Sequence, residues 1–310
     1  MKHRLLLLLL AVLPVSASAQ KIIFTPQWTA QAQFAGYYVA QDMGFFQEEG
    51  LEVEIVHPST TRPAMNRIRN NESQATTLDL CQAIEISAEG IPMVNILQTS
   101  MQNSLLIISQ EGVDPTSQKG QRVGTWSIGF NHMALCMDRM EQLEIEWIPF
   151  NTNVNLFVTG ALPSTLAMEY NEYYQLLQAG MSIKEEQVYR FADHGYNVQE
   201  DGVYMTRSYY RRHKQQAEAF ARACRRGWEW AAEHPEETLD IVMKYVHADH
   251  IATNRVMQKL MLQTILRLQL DKESGEREFR LRPDMVRLAN NLLLQNQLIP
   301  KSVTYEELHP

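Results

Sequence analysis

Residues able to do chemistry gather in four short stretches. Glu169-Tyr170-Asn171-Glu172-Tyr173-Tyr174 sets two carboxylates among three aromatic rings. The apolar run before it, residues 165–168, reads as a strand, so Glu169 or Tyr170 stands at a strand end facing a cleft. A carboxylate there can accept adjacent hydrogen bonds while aromatic faces hold a flat, nitrogen-containing ring. Glu169 can equally cap the helix that follows, and Glu172, Tyr173 and Tyr174 are expected on the outer face and in packing. Trp126 and Phe130 flank Ser127-Ile128-Gly129, a loop running from a strand into a helix whose free N–H groups suit an anion. That loop carries no lysine or arginine, which favours a neutral or singly charged ligand, and Phe130 is expected in the core. Thr76, Thr77 and Asp79 end a third strand. Asp79 would repel an anion and is expected to N-cap the next helix. Trp28 follows the first strand and either displays its indole to a ligand or caps the core.

These stretches need a scaffold of strands and helices. Ile22, Ile23 and Phe24 form a short apolar strand, and Pro26 to Thr29 break it. Phe34, Tyr37 and Tyr38 follow helical spacing, Gly44 sits at a C-cap position, and Leu51, Val53 and Ile55 alternate as in a strand. This is a βαβ unit, which implies a largely parallel sheet with ligands beyond the carboxyl ends of its strands. A second βαβ unit starts at Val123, after the polar, breaker-rich residues 111–120. Residues 203–206 read as a strand crossing back, and the remainder reads as helices near 209–232, 236–246, 253–269 and 283–293. The plan is a first lobe over residues 20–112, a second over 113–203, and a return to the first over 204–310. Hinges are expected at 111–117 and 202–205.

The chain opens with Lys2 and Arg4, an apolar core over residues 5–13, and Ala17-Ser18-Ala19, the pattern of a cleavable export signal over residues 1–19. The 310 residues carry a net charge of −8, or −10 without Lys2 and Arg4. That acidity argues against a nucleic-acid surface. Cys81, Cys136 and Cys224 are odd in number, far apart and without a C-x-x-C, so they read as small buried hydrophobes. His247 and His250 have metal-pair spacing only if a helix runs through Ala248-Asp249, which reads as a break. There is no glycine-rich phosphate cradle, no G-x-S-x-G, and no nucleophile with a base nearby.

The segment Gly36-Tyr37-Tyr38-Val39-Ala40-Gln41-Asp42-Met43-Gly44-Phe45-Phe46, with Glu49-Gly50-Leu51 after it, resembles the opening of the solute-binding proteins of thiamine-precursor transport and of the fungal thiamine-pyrimidine synthases. Further matches are Lys119 to Trp126, Ala167 to Gly180, and Ala223 to Val242. The resemblance implies an α/β, two-lobed fold of the type II periplasmic-binding-protein kind, two Rossmann-like lobes closing about a hinge. It implies an exported, periplasmic and monomeric protein that passes an aminopyrimidine, a thiamine precursor, to an ABC transporter permease, with no cofactor and no nucleic acid. Relatives that bind sulfonates share much of the pattern, and a ligand-sensing subunit for a membrane receptor is a further alternative. The resemblance implies pairing of a carboxylate with the pyrimidine, and Glu169 is the matching position. The expected ligand-binding set is Trp28, Tyr37, Tyr38, Thr77, Trp126, Gly129, Glu169 and Tyr170. The synthases carry pyridoxal phosphate on a lysine, with a histidine close by and a cysteine-rich iron motif. Anchored on Gly90-Ile91-Pro92, those two positions fall on Leu78 and Gln82, and leucine offers no amine for a Schiff base.

Overall fold

Ten strands assemble into two five-stranded sheets in the computed structural model, which describes residues 21–59, 61–127, 129–150 and 154–310. The expected export signal and Ile128 lie outside the described residues. The strands are β1 (Lys21–Thr25), β2 (Glu52–Ile55), β3 (Ala75–Leu78), β4 (Met93–Gln98), β5 (Leu105–Ser109), β6 (Arg122–Trp126), β7 (Glu146–Phe150), β8 (Ser164–Met168), β9 (Val188–Arg190) and β10 (Gly202–Thr206). The first sheet runs β2-β1-β3-β10-β4 and the second β7-β6-β8-β5-β9. Each is an α/β lobe.

The sheets are mixed rather than largely parallel. β1 pairs parallel with β2 and β3, but β10 runs antiparallel to both β3 and β4. In the second lobe β6 pairs parallel with β7 and β8, and β5 runs antiparallel to β8 and β9. The reversed strand in each sheet is the one that enters from the other lobe, so it arrives from the opposite end. This also corrects the expected outward crossover. The chain changes sheets over residues 99–104, between β4 and β5, and the polar segment 111–120 joins β5 to β6 inside the second lobe. Apolar β5 gives no sign in sequence of which sheet receives it. The return lies between β9 and β10, whereas residues 202–205, the expected hinge, are part of β10 itself.

In the first lobe, helix Ala35–Asp42 lies against the long helix Lys214–Glu233. Their backbones approach so closely that a Cβ on Gly227 would stand 2.0 Å from the Gly36 carbonyl oxygen, and one on Gly36 would stand 2.3 Å from the Trp228 ring. Only glycine fits at either contact. Gly44, one residue past the C-cap Met43, takes φ +77°, the left-handed conformation that favours glycine there. One apolar cluster runs unbroken from Leu78 and Tyr204 of the first lobe to Val123 and Trp126 of the second. Helix Pro283–Gln295 packs on both helix Leu80–Ala88 and helix His132–Glu141, bridging the lobes. All three cysteines are free and buried.

Candidate functional site

The loops beyond β1, β6 and β8 converge where the two sheets face each other. Trp28, after β1, sets its ring against Phe130 of the second lobe with centroids 5.6 Å apart at 79°. Phe130 in turn stands edge-on to Trp126 at 6.3 Å and 83°. Phe130 is half-buried: it packs against the apolar cluster, as expected, and also lines the cleft. Trp28, Trp126, Phe130, Tyr170, Asn171 and Glu172 line one inner cavity. A second, deeper cavity is lined by Gln27, Asp79, Phe130, His132, Tyr170 and Asp201, among others. Each leaves about 20 Å³, room for a water. Outside Trp28 the cleft widens to about 770 Å³ between Gln175 of the second lobe and Asn254 of the first.

Glu172 begins helix Glu172–Gln178, yet its side chain turns inward and the residue is only 2% exposed. It accepts hydrogen bonds from Trp126 Nε1–H at 3.1 Å, Asn171 Nδ2–H at 3.0 Å and the Met168 backbone N–H at 2.9 Å. Burial raises its pKa, and the Met168 and Trp126 donors pull the other way. In the deeper cavity, Asp201 is held between Gln27 Nε2–H at 2.6 Å and Gln33 Nε2–H at 2.8 Å. Its neighbour Glu200 accepts from Ser104 Oγ–H at 2.6 Å and the Ser104 N–H at 2.9 Å. Burial pushes Glu200 up to about 8 and Asp201 up to about 6, against the pull of those donors. Asp79 is also raised by burial. His132 faces Glu85 of the opposite lobe at 3.3 Å. Burial opposes its charge, but Glu85 and Asp79 outweigh it and raise its pKa. Among the described residues, no lysine or arginine lines either inner cavity or the outer opening. The arrangement offers aromatic faces and acceptors for N–H groups.

Of the expected set, Trp28, Trp126 and Tyr170 line the cleft together. Gly129 contributes its carbonyl, which accepts from Gln82 Nε2–H at 2.9 Å and ties the lobes. Thr77 is wholly buried and accepts from the Gln27 N–H at 2.8 Å, so it positions Gln27 instead of lining a cavity. Tyr37 and Tyr38 sit in the first lobe's core, against Trp228 and Tyr245 respectively, because helix Ala35–Asp42 turns them away from the cleft. Glu169 does not line the inner cavities. It pairs with Arg267 of the first lobe at 2.8 Å, with its side chain 26% exposed. The carboxylate aimed inward is Glu172, three residues further on and so beyond the strand end that drew the eye to Glu169. Asp79 N-caps helix Leu80–Ala88 as expected, accepting from the Gln82 N–H at 2.8 Å. Sequence reasoning passed over Gln27, His132, Glu200 and Asp201. The available signal was two adjacent acids leading directly into the apolar strand β10.

A family model described as "NMT1/THI5 like" matches residues 31–238. The formylaminopyrimidine-binding protein of Halalkalibacterium halodurans is 26% identical over 230 residues, covering 70% of this chain and 68% of that protein. A solved structure from Bordetella bronchiseptica RB50 superposes with a TM-score of 0.70 at 14% identity, covering 94% of each chain. The periplasmic aliphatic sulphonate binding protein SsuA of Escherichia coli superposes with a TM-score of 0.64 at 14% identity, covering 94% of this chain and 92% of that one. These likenesses establish the two-lobed periplasmic-binding-protein fold, and with two thirds of its length matched by the family model, the chain belongs to the NMT1/THI5-like family.

Proposed function

We propose that this protein captures an aminopyrimidine in the interlobe cleft and delivers it to an ABC importer after export through the residue 1–19 signal. The observation that carries the reading is an aromatic-walled cleft lined by the acids Asp79, Glu172, Glu200 and Asp201, with no lysine or arginine among the described residues that line it. A protonated aminopyrimidine presents a ring N–H and an exocyclic amine side by side, and a carboxylate accepts both. Glu172 and Asp201 are the acceptors best placed for that, with Trp28, Trp126 and Tyr170 supplying ring faces. A sulfonate would need donors and would meet the carboxyls of Asp79, Glu172 and Asp201. The name of the formylaminopyrimidine-binding relative supports the same ligand class. A synthase reading has little support, since Leu78, at the lysine position, is apolar and wholly buried. Calorimetry with an aminopyrimidine and an alkanesulfonate tests the proposal. Binding of the first alone is expected, and binding of the sulfonate alone would overturn it.

A further inference from the structure

The loop that carries Trp28, residues 26–31, is neither strand nor helix, so its backbone groups turn to side chains for partners. The Gln27 N–H donates to Thr77 Oγ1 at 2.8 Å. At Trp28 itself the backbone carbonyl lies 2.7 Å from His57 Nδ1. A carbonyl only accepts, so that nitrogen carries a proton. His57 Nε2 lies 2.8 Å from Tyr38 Oη. Burial holds the His57 pKa below its ordinary value, against the pull of the Trp28 carbonyl and of Asp249. The ring is therefore neutral at neutral pH, its Nε2 is an acceptor, and the Tyr38 hydroxyl donates to it. Tyr38 is fixed in turn. Its side chain is wholly buried and stacks on Tyr245, with centroids 4.1 Å apart at 11°.

We propose that His57 is a positioning residue for ligand capture: with its tautomer set by Tyr38, it holds the Trp28 carbonyl and so fixes the indole face that the first lobe presents to the cleft. His57 lines neither inner cavity nor the outer opening, so it acts through Trp28 alone. The inference rests on the aminopyrimidine reading, in which Trp28 supplies one ring face, and it names the group that orients that face. Thr77 tethers the loop one residue earlier, and Gln258 Oε1 accepts from the Ala32 N–H at 2.7 Å beyond it. Between those two anchors the His57 bond is the one made to Trp28 itself. Without it the indole gains freedom that ligand binding would have to remove, and ordering a side chain on binding costs affinity.

The test follows two readouts at neutral pH. One is the Trp28 indole N–H resonance in the ligand-free protein, assigned by its loss in Trp28→Phe. The other is affinity for an aminopyrimidine by calorimetry. Asparagine places an amide N–H near the position of Nδ1, whereas glutamine places its amide near Nε2. His57→Gln is expected to shift the Trp28 resonance and to weaken aminopyrimidine binding by about fivefold or more. His57→Asn is expected to keep the resonance near its parent position and binding within about twofold of the parent. Equal effects of the two substitutions on resonance and affinity would mean a merely structural role and would overturn the proposal, as would a resonance that moves in neither. If the parent binds no aminopyrimidine, that reading falls, and the resonance in the ligand-free protein still decides whether His57 holds Trp28. If the variants fail to fold, the imidazole nitrogen shifts of the parent decide. A neutral ring with its proton on Nδ1 is expected, and a proton on Nε2 alone would overturn the proposal.

Discussion

Trp28 and Phe130 meet edge to face across the gap between the two sheets, 5.6 Å between centroids, and so close the cleft from opposite sides. Polar contacts between the lobes accompany them. Gln82 donates to the Gly129 carbonyl, His132 faces Glu85, Glu169 pairs with Arg267, and Tyr174 Oη lies 2.8 Å from Thr264 Oγ1. Each is individually modest, and exposed ion pairs contribute little. Opening about the segments before β5 and β10 parts these polar contacts, and a ring bound between the lobes would shift the balance to the closed form. Small-angle scattering is expected to show a smaller radius of gyration at saturating aminopyrimidine. An unchanged profile would count against hinge closure.

Phe130→Ala removes one side of that aromatic contact without touching the first lobe's core. Aromatic pairs contribute about 0.5–1.5 kcal/mol beyond area burial. Aminopyrimidine affinity is expected to fall by about twofold to tenfold, with little change in melting temperature. A large loss of stability with unchanged affinity would leave Phe130 a role in packing alone.

Glu169→Gln is expected to change aminopyrimidine affinity by less than about threefold. Glu169 is engaged by Arg267, whose side chain is half exposed, and such pairs contribute about 0–1 kcal/mol. Calorimetry on the variant checks this, and a tenfold loss would return Glu169 to the ligand.

Much of the fold is legible in the sequence, because strand alternation and helical spacing report which face is buried. β1, β2 and β8 and their following helices lie close to where periodicity puts them. The lobe change at residues 99–104 is not legible, since β5 is apolar in either sheet. The site is harder to read. Trp28, Trp126 and Tyr170 are found by asking what stands beyond a strand end. Tyr37 and Tyr38 mislead because helical spacing alone does not say which lobe surface receives a ring. Glu172 is hidden because a carboxylate at a helix start ordinarily faces solvent, and only the three converging donors explain its inward turn.

Stability should fall as pH rises across the range set by Glu200 and Asp201. Both folded-state values are raised, to about 8 and about 6. A raised carboxyl contributes stability that is fully present below its unfolded value, near 4, and is lost as pH rises through the folded value. The melting temperature is therefore expected to decline between about pH 5 and 8, and Glu200→Gln to flatten the upper part of that decline. A parent melting temperature that rises across the window would contradict the assignment.

Glu172 is the carboxylate most expected to matter for both fold and ligand, and two substitutions separate those roles. Glu172→Ala leaves the Trp126, Asn171 and Met168 donors without their acceptor inside the second lobe. An orphaned buried donor costs about 1–3 kcal/mol, so the melting temperature should drop by several degrees. Glu172→Gln keeps the shape and one acceptor oxygen, so most of that stability should return. It does not keep the charge that a protonated aminopyrimidine would meet. Hydrogen bonds to charged groups contribute about 1.5–3 kcal/mol, so the Gln variant is expected to bind the aminopyrimidine about tenfold to a hundredfold more weakly. Thermal unfolding and calorimetry on the same two variants read the two roles independently. If Glu172→Gln binds as tightly as the parent, Glu172 serves only to fasten Trp126 to helix Glu172–Gln178, and Asp201 becomes the ring's acceptor.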